Sequence, residues 1–211
     1  QIYITYSGGD DLFVVGSWIN VINFAFDLKK AFTRFACGNR NLTISAGVYL
    51  CRDSYPVHKA ANHAGNAETR AKNSSPDKDS ISLFGREFRW VRAEQLLDYG
   101  KEIDALTGEE NGPDRINPGY IHYLLGQTIG LLDENNKLDL DKYFRNIFKI
   151  KYSLARSPRG VNSEAIAKNN SGELKNKKVQ VLSKLVNGSN ELIADFVVPA
   201  SYVILKNRKN K

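Results

Sequence analysis

The stretch Tyr6-Ser7-Gly8-Gly9-Asp10-Asp11-Leu12-Phe13 constrains the fold of this chain more than any other. Ile2 to Tyr6 and Leu12 to Gly16 flank it as short β-branched and aromatic runs, the composition of two strands of a hairpin. Ser7, Gly8 and Gly9 are then left to make the turn. Adjacent glycines admit left-handed backbone angles and leave no side chain over the turn, so a bulky charged group can lie against it. Asp10 and Asp11 follow at once. Neighbouring carboxylates repel each other unless a cation lies between them, and hard divalent ions take carboxylate oxygens together with substrate phosphates. The tip therefore reads as a metal and phosphate site. An ordinary hairpin turn uses the same glycines, and on these residues alone the two readings stand level.

The chain has 211 residues, enough for one good core or two small ones, and its 42% hydrophobic and 25% charged content is that of a globular protein. No apolar run reaches the length of a membrane span, and no basic and apolar secretion signal opens the chain, so a cytoplasmic protein without membrane contact is expected. Cys37 and Cys51 fit neither a zinc cluster nor a disulfide framework and are expected to be buried apolar thiols. His58 and His63 lack the i, i+4 spacing of a metal pair and are expected at the surface or behind a site. Charge is unevenly divided: residues 1 to 144 hold 16 Lys and Arg against 19 Asp and Glu, whereas residues 145 to 211 hold 14 against 4. The basic last third, including Lys175, Lys177 and Lys178, signals polyanion contact with nucleic acid as the leading candidate, or else a solvated helix surface ending in a frayed Lys-rich tail.

After the hairpin, Trp18 to Phe35 carries apolar residues at helical spacing and should be buried against a sheet, and Leu42 to Leu50 alternates as a strand. Ser54 as cap and Pro56 in the first turn open the next helix, with Val57, Ala60, Ala64, Ala67 and Ala71 facing inward. On another stripe Ala61, Gly65, Glu68 and Lys72 align, so a glycine leaves room beside a lysine. Ile81 to Phe84 and Glu87 to Trp90 flank Gly85-Arg86 as a second hairpin closing the sheet. This order predicts an α+β protein. Residues 1–90 are expected to form an incomplete ferredoxin-like unit, lacking its first strand and the helices after it, and residues 91–211 an all-α domain with Pro199 as a kink or break. The absence of methionine and a start inside a strand pattern predict a piece of something longer.

Four stretches in order carry a family resemblance: the GGDD hairpin, Phe35-Ala36-Cys37-Gly38-Asn39, Leu42-Thr43-Ile44-Ser45-Ala46-Gly47-Val48 and the helix ending Glu68-Thr69-Arg70-Ala71-Lys72. Together they resemble the GGDD palm in the large signature subunit of type III-A CRISPR interference complexes, a distant relative of the GGDEF diguanylate cyclases. The resemblance covers about the first ninety residues; the rest matches by position and helical character. It implies conversion of ATP to cyclic oligoadenylate when target RNA is bound. It also implies magnesium or manganese held by Asp10 and Asp11, and nucleotide contacts from Ser7, Gly8 and Gly9. Lys72 matches a phosphate-contacting lysine of the related cyclases, while Glu68 and Lys72 also suit an i, i+4 surface pair. The implied partners are guide and target RNA, small helical and other subunits of the complex, and an upstream part of the same protein. Residues 1 to 211 alone are then expected to be inactive, because a further carboxylate of the site would come from that upstream part. A diguanylate cyclase and a scaffold fragment binding RNA and helical subunits are the alternatives, although Leu12 before Phe13 departs from the cyclase motif.

Overall fold

A computed structural model describes residues 1–107, 116–131, 138–156, 177–187 and 190–208. The chain divides into two compact units, Gln1–Glu94 and Gln95–Lys211. The architecture is α+β, with small sheets in the first unit and helices in the second.

The first unit opens with the hairpin, β1 (Ile2–Gly8) paired antiparallel with β2 (Asp11–Gly16). The strands run closer to the tip than their composition predicts, because Ser7 and Gly8 pair with Leu12 and Asp11 and leave Gly9-Asp10 as a two-residue turn. Between Ile4 and Tyr6 the register shifts, which makes Thr5 the extra residue of a β-bulge. A bulge reverses side-chain parity beyond it. Tyr3, Tyr6, Phe13, Val15 and Asp11 thereby share one face, and Ile2, Ile4, Ser7, Leu12 and Val14 the other. Both faces are open: Tyr3 and Ile4 are each 62% exposed.

Helix α1 (Trp18–Phe35) lies against β2, yet only Ile22 is fully buried and Phe35 stands exposed. The expected burial against a sheet is not reached, since a two-stranded ribbon is too narrow to cover a wide apolar stripe. The expected strand from Leu42 to Leu50 shrinks to β3 (Ala46–Gly47), parallel to β4 (Ser80–Leu83). Before β3 the chain is held by side chains instead of a ladder: the Trp90 indole N–H donates to the Ile44 carbonyl (2.8 Å) and the Thr43 hydroxyl to the Asp77 carbonyl (2.7 Å).

Helix α2 (Val57–Ser74) crosses over between β3 and β4. Ser54 does not cap it. Pro56 occupies the N-cap position without a side-chain hydrogen bond, and Val57 is exposed, whereas Ala67 and Ala71 are buried as expected. A Cβ on Gly47 would sit 2.2 Å from the Glu68 nitrogen and 2.4 Å from the Ala64 carbonyl oxygen, so β3 and α2 touch backbone to backbone. β4 and β5 (Arg86–Arg89) form the second hairpin through Phe84 and Gly85, both at positive φ (51° and 82°), the angles of a type I′ turn. Its turn thus lies one residue earlier than the Gly85-Arg86 expected from sequence. Among the described residues the β1–β2 ribbon and the β3–β4–β5 sheet share no strand pairing, so the single closed sheet expected from sequence is two.

Helix α3 (Trp90–Thr107) passes from the first unit into the second. There follow α4 (Pro118–Thr128), α5 (Leu140–Arg156), α6 (Lys177–Asn187), α7 (Asn190–Ala194) and α8 (Val197–Lys206). Ile103, Ile121, Leu124, Ile150, Leu185, Phe196 and Val203 form the buried centre of this unit. The break expected at Pro199 falls earlier, at Asp195-Phe196 between α7 and α8. Pro199 then sits in the first turn of α8, where its ring would clash with the carbonyl four residues back if the helix were continuous. Of the expected all-α half, residues 157–176 lie outside the described residues.

Asp139 caps α5: its Oδ1 accepts from the Lys142 backbone N–H (3.1 Å) and its Oδ2 pairs with the Lys142 ammonium (3.1 Å). The backbone hydrogen bond first, then the side-chain one, holds its carboxyl below the usual aspartate value of 3.8. A depressed folded-state pKa gives stability that is present above 3.8 and lost as pH falls through the lower folded value. The protection of the Lys142 amide, measured against its intrinsic exchange rate, should therefore fall in acid at a pH below 3.8, and in Asp139→Asn this acid step should vanish.

Candidate functional site

Gly9 takes φ +62° at the first central position of the tip, where a type II′ turn favours glycine, and nothing lies within 4 Å of where its Cβ would be. Gly8 differs. A Cβ there would meet the Tyr6 hydroxyl at 2.7 Å, so the space over Gly8 is covered by the phenol of the same strand rather than open as its composition implies. Asp10 lies in the turn and Asp11 begins β2, both exposed. Ser7 and Asp11 lie on adjacent rungs and so project from opposite faces of the ribbon; the structure does not bring the Ser7 hydroxyl to the side of Asp11.

Lys72, in the last turn of α2, pairs with Glu68 at 2.7 Å. The hydrogen bond to Glu68 is the largest influence on its ammonium and raises its pKa. Slight burial opposes this, and the charges of Glu68, Asp11 and Asp10 add to the rise. Among the described residues the charges of the hairpin tip thus reach the end of α2, while the partner in contact with Lys72 is Glu68. Two turns back from Lys72 along α2, the face of Gly65 is open space.

The donors present suit magnesium or manganese. Mg²⁺ is usually bound through one or two carboxylates with substrate phosphates and water completing the shell. Asp10 and Asp11 supply two exposed hard-oxygen donors, and among the described residues no group of three or more His, Cys, Asp or Glu is placed to hold an ion without substrate.

Other sequence candidates lie elsewhere. His63 stacks on Tyr49 with ring centroids 4.6 Å apart and shares a hydrogen bond with the Tyr55 hydroxyl (3.0 Å), and His58 is exposed. Cys37 and Cys51 are both exposed, contrary to expectation, because each follows an element end rather than packing inside one. A cavity of about 410 Å³ lined by Phe26, Lys29, Arg34, Trp90 and Val91 contains none of the candidate site residues. Lys175 lies outside the described residues, and Lys177 and Lys178 open α6. Sequence reasoning missed two features. One is the bulge that carries Tyr6 onto the Asp11 face. The other is a row on α5, where Leu140, Phe144, Phe148 and Tyr152 recur every four residues and are 55–68% exposed. That four-residue spacing is readable in the sequence.

Residues 1–82 match the family model of the Cas10/Cmr2 second palm domain. Three relatives, each named a CRISPR system single-strand-specific deoxyribonuclease Cas10/Csm1 of subtype III-A, are similar over longer stretches. The Enterococcus italicus protein is 34% identical over 161 residues, 74% of this chain and 19% of that protein. The Mycobacterium tuberculosis protein is 47% identical over 112 residues, 51% of this chain and 14% of its own. The Streptococcus thermophilus protein is 40% identical over 126 residues, 59% and 16% respectively. The chain thus spans less than a fifth of the length of these relatives.

Proposed function

Residues 1–82 belong to the Cas10/Cmr2 second palm domain family, and from that premise we propose that this chain carries the nucleotide-polymerising site of a type III CRISPR large subunit, joining ATP into cyclic oligoadenylate when target RNA is bound. The observation that carries the reading is the pair of adjacent, exposed carboxylates Asp10 and Asp11 beside the uncovered turn at Gly9, with the charge of both raising the pKa of Lys72. Asp10 and Asp11 are the residues that would hold magnesium or manganese; such ions, when bound, activate an attacking hydroxyl and offset charge on the phosphate. Gly9 admits the phosphates to the backbone, and Lys72 takes up phosphate charge as it leaves Glu68. The nucleotide roles of Ser7 and Gly8 are proposed through their backbone, since the Ser7 hydroxyl lies on the other face and Tyr6 covers Gly8.

The partners follow the same reading: guide and target RNA against the basic residues of 145–211, and a small helical subunit against the exposed row on α5. No described helix is long and apolar enough to cross a membrane. A second reading, metal-dependent cleavage of single-stranded DNA at the same aspartates, is favoured by the names of the relatives. The test supplies ATP, GTP or single-stranded DNA, with magnesium, to this segment in the context of a long relative. Oligoadenylate from ATP is expected. Cyclic diguanylate from GTP, or DNA fragments lost on changing Asp10 and Asp11, would instead establish one of the other activities.

A further inference from the structure

The cavity of about 410 Å³ takes no part in the chemistry described above, and every residue that lines it lies in the first unit. Its floor is aromatic and fixed. Trp90 is nearly buried, its indole N–H is held by the Ile44 carbonyl (2.8 Å), and it meets Phe26 edge to face with ring centroids 5.3 Å apart. Its rim is basic. Phe26, Lys29, Lys30 and Arg34 recur three and four residues apart on α1 and so share one helix face. Lys29 pairs with Asp79, and Lys30 reaches from α1 to Glu94 on α3 at 2.9 Å. Arg34 has no ion pair among the described residues, so the rim keeps a positive charge that these carboxylates do not offset.

We propose that this cavity is a nucleotide site separate from the hairpin tip, taking one mononucleotide with its base against Phe26 and Trp90 and its phosphate on Arg34. Small-molecule sites are mostly apolar hollows of about 300–1,000 Å³ with a few convergent polar groups, and this one falls within that range. Bases of any identity stack on aromatic rings, and the guanidinium offers phosphate a planar fork of donors. The lining comes from two helices and presents no strand edge, so an extended peptide finds no backbone partners there. An exposed pair such as Lys30 with Glu94 costs little to open, which frees Lys30 to turn toward the same phosphate. Glu94 is the only acidic residue in the lining, so binding here needs no metal ion.

The experiment is calorimetric titration, in EDTA, of adenosine monophosphate and of adenosine into this segment carried within a long relative. The monophosphate has no triphosphate to polymerise and EDTA removes divalent ions, so a failure here is distinct from a failure of the function proposed above. Arg34→Ala should weaken binding of the monophosphate about tenfold or more and change that of adenosine by no more than about twofold. Val91→Trp, which fills the cavity from a side chain that is 69% exposed, should remove the binding that depends on Arg34. Asp10→Ala with Asp11→Ala should bind as wild type. In residues 1–211 carrying Trp18→Phe, the monophosphate should change the fluorescence of Trp90, the tryptophan that remains. No binding at about 1 mM, equal affinity in Arg34→Ala, loss of binding in the double aspartate variant, or no response from Trp90 overturns the proposal. Binding by residues 1–211 alone but not within the long relative also overturns it, and shows that another part of the protein fills the cavity. Circular dichroism checks that each variant is folded.

Discussion

Changing Asp10 and Asp11 together to alanine, with this segment carried in the context of a long relative, should lower nucleotide product formation roughly 10³-fold or more, because metal-ion catalysis supplies several kcal/mol of transition-state stabilisation and each 1.4 kcal/mol is tenfold. The fold should not suffer. Both side chains are exposed, one in a two-residue turn and one at the first position of β2, and surface changes away from special backbone angles typically fall within about 0.5 kcal/mol. Gly9, which does need its positive φ, is left in place. Without metal the variant should unfold at the same temperature as wild type or slightly above it, since two like charges leave one turn. Loss of product with an unchanged melting curve assigns the aspartates to the chemistry. Wild-type rates from the double variant would sink the assignment, and a collapsed melting curve would make the turn structural.

Gly47→Ala should be the most damaging single-methyl change in the first unit. The added carbon would fall 2.2, 2.4 and 2.8 Å from backbone atoms of Glu68, Ala64 and Ala67, none of which can rotate away as a side-chain tip can. Relief requires α2 to retreat from β3, which breaks the packing of Ala67 and Ala71 over β4. Overpacking a tight contact costs about 1–3 kcal/mol when side chains can adjust, and here they cannot, so about 3 kcal/mol or more is expected. Gly65→Ala is the matched control. It lies in the same helix with open space at its Cβ, and replacing an interior helical glycine by alanine is worth about 1 kcal/mol in the stabilising direction. Denaturant unfolding of the two variants should move to opposite sides of wild type. Equal midpoints would mean that the β3–α2 approach is not a constraint on the fold.

How much of this was legible depended on whether the signal was local. The hairpin at residues 2–16 could be read because β-branched runs and paired glycines act within a few residues. The bulge at Thr5 could not, since register is set by which residues across the ribbon pair, and nothing in Ile-Tyr-Ile-Thr-Tyr marks the slip. Leu42 to Leu50 alternates as a strand should, yet only Ala46 and Gly47 find a ladder, because alternation reports two faces and not the presence of a neighbour. Ser54 has cap chemistry, but Pro56 took the cap position two residues later. Glu68 and Lys72 were readable as a pair from helical spacing alone, and they form it. The influence of the Asp10 and Asp11 charges on Lys72 is tertiary, and only the resemblance to known palms pointed to it.

The separation of the β1–β2 ribbon from the β3–β4–β5 sheet has a mechanical meaning. Asp10 and Asp11 ride on the ribbon, while Glu68 and Lys72 ride on α2, which the contact at Gly47 locks to β3. The proposed site would therefore be shared between two pieces that no strand pairing among the described residues couples. A displacement of one against the other takes the lysine away from the aspartates without breaking any ladder, so the stiffness of the joint, rather than the strength of either sheet, sets how readily the site comes apart and reassembles.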